Sequence, residues 1–330
     1  MVTIGNINLS EFPLLLAPME DVSDPPFRAL CKENGADLMY TEFISSEGLI
    51  RDAAKSVQKL DIYNKERPIG IQIFGANLDS MLAAVEIVEA TKPDIIDINF
   101  GCPVKKVVCK GAGAGILKDI PLMVKLTKEM VKKTKLPITV KTRLGWDHNS
   151  IKIVEVSERL QDVGAAAITI HGRTRAQMYK GEADWKPIAQ VKTNPRMHIP
   201  VIANGDINTP ERVKQIRDEY QLDGAMIGRA AIGNPWFFNE VKSYLKGGQD
   251  FVVPSLSERV KAARAHLEMA IKWKGEILGV LETRKHYSNY FKGIPNFKSY
   301  RKKMVTSNIS KDIFDTFDEI LEKYSIPILL

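Results

Sequence analysis

Short apolar runs of β character alternate with longer helical patterns eight times between residue 14 and about residue 245. The runs occupy 14–17, 38–41, 69–73, 95–98, 138–141, 168–170, 201–203 and 225–227. Each is nearly continuous in apolar side chains, as parallel strands are when both faces are covered. The intervening segments carry helix signals. Asp24 precedes Pro25-Pro26, Leu82, Val85 and Val88 share a face, and so do Met123, Leu126 and Met130 behind Pro121. Thr209-Pro210-Glu211 combines an N-cap, a proline in the first turn and an acidic first turn. Eight such units in about 245 residues match the size of a (β/α)8 TIM barrel. A doubly wound sheet is the alternative, but regular units without a large break in composition favour closure. Gly111-Ala112-Gly113-Ala114-Gly115 lacks the GxGxxG spacing and does not directly follow a strand. It reads as a flexible loop entering the helix after the fourth strand.

The alternation stops after residue 245, so residues 1–245 are assigned to the barrel. Lys246-Gly247-Gly248-Gln249-Asp250 and Pro254 make a linker over 246–254. Residues 255–330 read as a small all-helical domain, with helices at 257–273, 279–292, 299–305 and 310–324. This piece holds 14 Lys+Arg against 9 Asp+Glu, a net of +5 out of +7 for the whole chain. Twelve of those cations lie between Arg259 and Lys303, interleaved with Tyr287, Tyr290, Phe291, Phe297 and Tyr300. Basic and aromatic residues in alternation suit a nucleic-acid surface. Most of these aromatics are nevertheless expected to form the core of the small domain.

Three cysteines, Cys31, Cys102 and Cys109, make neither a disulfide framework nor a paired metal-ligand spacing. They fit a reducing, cytoplasmic setting. The N-terminus lacks the basic and long apolar regions of a signal peptide, and no apolar run approaches the roughly 20 residues needed to span a bilayer. No membrane association, no metal and no obligate protein partner is expected.

One turn stands out. Asp97-Ile98-Asn99-Phe100-Gly101-Cys102-Pro103 runs from a strand into a stiff Gly-Cys-Pro corner. In a barrel of this class the active site is built just past the strand carboxyl ends. Those positions hold Pro18-Met19, Glu42, Gln72, Asn99 with Cys102, Lys141, His171 with Arg173, Asn204-Gly205-Asp206 and Gly228-Arg229. So many polar or special residues on one face point to a shared pocket. Asn204–Asp206 and Gly228-Arg229 follow the seventh and eighth strands, the common phosphate site of such barrels. The chain shows no clustered histidines and carboxylates at metal spacing, which argues against a metal hydrolase. A buried lysine, an amide and an apolar methionine suit a flat heteroaromatic cofactor such as flavin mononucleotide (FMN). A Schiff-base lysine at Lys141 is the competing reading.

The set Ala17-Pro18-Met19, Asn99-Phe100-Gly101-Cys102-Pro103-Val104-Lys105-Lys106-Val107, Lys141-Thr142-Arg143, His171-Gly172-Arg173-Thr174-Arg175, Asn204-Gly205-Asp206-Ile207 and Ile227-Gly228-Arg229 resembles the tRNA-dihydrouridine synthases, most closely the bacterial B-type subgroup. Arg284-Lys285-His286 extends the resemblance into the helical domain. Two departures are Cys109, where many relatives have a polar residue, and Glu20, where a small residue is common.

The resemblance implies reduction of the C5=C6 bond of selected tRNA uridines by FMN recharged from NADPH. It implies Cys102 as the general acid and Asn99 at the uracil edge. Lys141 and His171 would line flavin and base, with Arg173 near phosphate or substrate. Pro18, Met19, Glu20 and Gln72 would line the cofactor, and Asn204, Gly205, Asp206, Gly228 and Arg229 would hold its phosphate. Arg284 and Lys285 would grip the tRNA. An FMN barrel acting on a free pyrimidine, of the dihydroorotate dehydrogenase type, and a non-catalytic RNA-binding barrel are the rival readings.

Overall fold

The computed structural model describes residues 1–248 and 251–324. Two residues of the expected linker, 249–250, and the last six residues of the helical domain lie outside that description. The chain forms two compact units, Met1–Pro25 with Ala36–Gly228, and Pro26–Gly35 with Arg229–Leu330.

In the first unit eight parallel strands close into a barrel. They are β1 (Leu14–Leu16), β2 (Leu38–Tyr40), β3 (Ile69–Phe74), β4 (Ile95–Asn99), β5 (Ile138–Arg143), β6 (Ala167–His171), β7 (Val201–Asn204) and β8 (Gly224–Ile227). Each strand pairs with its neighbours in sequence, β8 pairs with β1, and β2 pairs with β3. The ring is therefore complete, and no barrel strand is left with an open edge. A short strand at Ile44–Ser45 pairs with the end of β3 beyond β2, Ile44 with Ile73 and Ser45 with Phe74. The barrel interior is packed by Leu15, Leu38, Tyr40, Ile95, Ala167, Ile202 and Met226. Gly70 makes room for Tyr40, because a Cβ there would lie 2.5 Å from the tyrosine ring.

An N-terminal hairpin, Thr3–Ile4 with Ile7–Asn8, adds Ile4 and Leu9 to that interior cluster. Its Gly5 sits against Pro137, the residue before β5. The hairpin thus lies at the amino ends of the strands, and the carboxyl ends carry the polar residues. The caps act as the sequence requires. Asp119 accepts the N–H of Leu122 at the start of the helix Ile120–Lys133, and Thr209 accepts that of Arg212 at the start of Pro210–Asp218.

Two features differ from the sequence reading. The glycine-rich stretch is no flexible loop: Gly113–Lys118 is a buried 3-10 helix. Gly113 lets it approach the Cys102 turn, since a Cβ there would stand 2.8 Å from the Cys102 carbonyl oxygen. Strand β5 also runs two residues past the expected end, so Lys141 lies within it, as Gln72 lies within β3. The residues added to β5, Thr142 and Arg143, are polar, which hid its end.

The second unit contains the helices Leu256–Lys274, Glu276–Tyr290, Lys298–Thr306 and Ser310–Tyr324. The first begins with a reciprocal cap, Ser255 with Glu258. Tyr287, Tyr290 and Phe291 belong to its buried core with Leu267, Val280 and Phe317, and Phe297 and Tyr300 pack against them. The aromatics interleaved with basic residues are thus core residues.

Candidate active site

Register builds the site in layers. Gln72, Asp97 and Thr139 are paired neighbours across β3, β4 and β5, and Asn99, Lys141 and Thr169 form the next row. Arg143, His171 and Asn204 make a third row towards the carboxyl ends. Residues two apart on a strand share a face. One stripe of the barrel is therefore polar from Asp97 upwards.

These side chains form a continuous hydrogen-bonded chain. Thr139 Oγ1 donates to Asp97 Oδ1 at 2.5 Å, and Gln72 Nε2 donates to Asp97 Oδ2 at 2.6 Å. Asn99 Nδ2 donates to Gln72 Oε1 at 2.8 Å. Asn99 Oδ1 then accepts the backbone N–H groups of Gly101 at 3.0 Å and Cys102 at 2.8 Å. Arg143 Nε donates to the Gly101 carbonyl at 2.8 Å, and the N–H of Ala114 binds the Cys102 carbonyl at 2.9 Å. The Cys102 turn is therefore held from three directions.

The electrostatics follow from burial. Desolvation raises the Cys102 thiol above its ordinary range, opposed by the Val104 N–H and by Arg143 and Lys141. The thiol is protonated at neutral pH, with cations placed to receive a thiolate. Lys141 is pushed down to about 8 by burial and by Arg143. Asp97 is raised to about 6 by burial, against hydrogen bonds from Thr139 and Gln72.

The seventh-strand block has a different architecture from a simple phosphate clamp. Arg173, 2% exposed, donates to Asp206 Oδ2 at 2.5 Å and to the carbonyls of Lys180 and Gly181. Its Nη1 lies 3.3 Å from His171 Nε2. Asp206 also accepts the N–H of Ala183. These two residues thus fix the 180–183 loop. Gly205 (φ +108°) brings its backbone against His171, where a Cβ would lie 2.7 Å from the imidazole. Asn204 Nδ2 donates to the Met226 carbonyl at 2.8 Å, joining β7 to β8. Gly228 leaves room near Met19: a Cβ there would be 3.6 Å from the Met19 sulfur.

Pro18 and Met19 follow β1, and the Met19 N–H binds Ser23 Oγ. Glu20 pairs with Lys59 at 2.5 Å, and Lys59 also reaches Glu42 at 2.9 Å. Arg229 opens the 3-10 helix Arg229–Ala231 and belongs to the second unit. There, Arg284 donates to the Ser307 carbonyl and to Asn308 Oδ1, so it ties down a loop, whereas Lys285 is exposed. His286 is buried against Phe27 and His266.

The dihydrouridine synthase family model matches residues 15–324. The chain belongs to this family. It is 37% identical to a probable tRNA-dihydrouridine synthase of Rickettsia conorii, covering 98% of this chain and 97% of that one. It is also 37% identical to tRNA-dihydrouridine synthase B of Pseudomonas putida, over 91% of this chain and 88% of that one. Among solved structures, histamine dehydrogenase from Rhizobium superposes with a TM-score of 0.55 at 12% identity, over 81% of this chain and 50% of that chain. Morphinone reductase gives 0.54 at 10% identity, over 72% and 88%. These likenesses show the shared barrel fold.

Sequence reasoning passed over three residues of this polar cluster. Asp97 and Thr139 lie inside apolar runs, and a carboxylate in the middle of a buried strand was the signal that could have found them. Arg143 stood in a quoted motif without a role, yet it holds the Gly101 carbonyl.

Proposed function

We propose that this protein is a flavin-dependent tRNA-dihydrouridine synthase that reduces the C5=C6 bond of tRNA uridines. The observation that carries the reading is the Cys102 turn. Its thiol is kept protonated by burial, flanked by Lys141 and Arg143, and anchored through Asn99 in a chain of the matching family.

The residues fit a flavin mononucleotide. Lys141 is a partly buried cation with a lowered pKa, suited to the electron-rich edge of an isoalloxazine. Gly228 presents backbone beside Met19 where a side chain would fill the space. Met19, Gln72, Lys141 and His171 would line the ring, and Asn204, Gly205 and Gly228 would approach its phosphate. When bound and reduced by NADPH, the flavin supplies a hydride to uracil C6.

The chain's own groups do the rest. The Cys102 Sγ–H gives its proton to C5, completing the addition of two hydrogens across the double bond. The Val104 N–H, Lys141 and Arg143 stabilise the thiolate until solvent returns a proton. A protonated thiol donates better than it attacks, which suits a general acid. Asn99 has its oxygen on the turn and one amide hydrogen on Gln72. Its second amide hydrogen is directed to a base. The target uridine must leave its stack to reach this depth. The exposed cations of the second unit, Lys285 among them, hold the tRNA backbone.

The test is direct. Purified protein should bind FMN, oxidise NADPH, and form dihydrouridine in unmodified tRNA but not in free uridine. Turnover of free uridine without tRNA would point to a free-pyrimidine enzyme. A protein that binds no flavin would remove the reading.

A further inference from the structure

Two clefts in the barrel unit share one wall. One, of about 590 Å³, is lined by Lys105, Cys109, Lys118, Trp146 and Arg175 among others. Its neighbour, of about 300 Å³, shares Lys118 and Trp146 and adds Arg143 and Lys152. The lining residues come from segments after β4, β5 and β6. Lys105 stands three residues beyond Cys102, Trp146 three beyond Arg143 and Arg175 four beyond His171.

The charge here is net positive, with Lys105, Lys118, Arg143, Lys152 and Arg175 against Asp119 and Asp147. Lys118 Nζ lies 3.9 Å from the Trp146 ring centroid, and the Arg175 guanidinium carbon lies 4.6 Å from it. Among the described residues neither cation has a carboxylate partner, and Arg175 Nε is buried without a hydrogen bond. The two lining carboxylates are engaged elsewhere. Asp119 caps a helix at Leu122, and Asp147 binds the Asn149 N–H and the Ser150 hydroxyl. Two cations beside an indole, one of them with an Nε that lacks an acceptor, suit a base and a phosphate together.

We propose that Lys118, Trp146 and Arg175 form a nucleotide subsite for the RNA, with a base against Trp146 and its phosphate on Arg175, Lys118 and Lys105. This rests on the tRNA reading above. The occupant is a nucleotide flanking the target uridine. Three residues of chain span at most about 10 Å, so Lys105 lies within a nucleotide or two of a uridine seated at Cys102. A pyridine dinucleotide also carries bases and phosphates. The exposed Lys106 and Lys110 extend the cationic row beyond the cleft, which suits a polymer.

Cys109 provides the probe. It lines the larger cleft and is exposed, whereas Cys31 and Cys102 are buried. Alkylation of Cys109 by a maleimide is followed by mass spectrometry in the FMN-loaded protein, with added tRNA or with added NADPH. Saturating tRNA should slow alkylation at least tenfold, and NADPH should not. Trp146→Ala and Arg175→Gln should each weaken tRNA binding by about 10- to 100-fold, the range expected for one lost base stack or charged contact, and Trp146→Phe should restore most of it. Lys118→Gln, a change at an exposed cleft wall, serves if Trp146→Ala fails to fold. Tight tRNA binding and dihydrouridine formation with no protection of Cys109 would overturn the subsite while leaving the function standing. Protection by NADPH alone, or variants that bind tRNA like the wild type, would overturn it too. A wild-type protein that neither binds tRNA nor forms dihydrouridine would overturn the parent reading as well.

Discussion

Asn99 Oδ1 accepts the N–H of Cys102 at 2.8 Å while Nδ2 of the same amide donates to Gln72. One side chain therefore connects the turn that carries the thiol to the buried chain ending at Thr139. Replacing it with leucine leaves the Gly101 and Cys102 N–H groups and Gln72 Oε1 without partners. A buried group left unsatisfied costs about 1–3 kcal/mol. Asn99→Leu should lose at least that much in urea unfolding and slow dihydrouridine formation by about 100-fold. Asn99→Asp keeps the acceptor for the turn and should retain more of the stability.

Asp97 should make stability depend on pH with an unusual sign. Its pKa is raised by burial from the ordinary 3.8 to about 6 in the fold. Between those values the folded state binds more protons than the unfolded state. Its contribution is therefore full below pH 4 and is lost as pH rises through 6. The lost stability is about 3 kcal/mol, since one pKa unit is about 1.4 kcal/mol. Unfolding free energies of the wild type minus those of Asp97→Asn, measured from pH 4 to 7, should fall by that order. A flat difference would show that Asp97 is ionised throughout.

Lys141 should set the alkaline limb of the reaction. Its pKa of about 8 means that its charge is lost above that pH, while the raised Cys102 thiol deprotonates higher. Single-turnover tRNA reduction should fall above pH 8. Lys141→Arg should move the limb upwards by at least one unit. An unmoved limb would assign it to another group.

In the second unit, two kinds of cation should separate experimentally. Arg284 holds the Ser307 carbonyl and Asn308, and Lys303 pairs with Glu319 at 2.6 Å. Arg284→Ala should lower the thermal midpoint of the protein by several degrees. Arg301 and Lys302 are exposed. Charge reversal there should weaken tRNA binding without changing the midpoint, and each lost phosphate contact should flatten the salt dependence by about one unit or less. Binding measured at several salt concentrations distinguishes the two.

The barrel was legible because its strands are apolar runs separated by capped helices, and all eight emerge where that pattern places them. The polar stripe was only half legible. Asn99, Cys102 and Lys141 stand at or near strand ends, where chemistry is expected. Asp97 and Thr139 act from inside the barrel, and only register shows that they face Gln72. Arg173 and Asp206 were each recognisable as polar residues after a strand. Their mutual ion pair and the loop they hold depend on residues 33 apart in sequence folding back together. The basic helices showed their charge but not which cations support loops.

The central claim is that the thiol of Cys102 protonates a tRNA uracil reduced by a flavin. It is tested most directly by mass mapping of dihydrouridine in unmodified tRNA incubated with FMN-loaded Cys102→Ala protein and NADPH. A general acid contributes about 10²- to 10⁴-fold. The variant should still oxidise NADPH at the wild-type rate while forming dihydrouridine at least 100-fold more slowly. Dihydrouridine formed at the wild-type rate by Cys102→Ala would contradict the account.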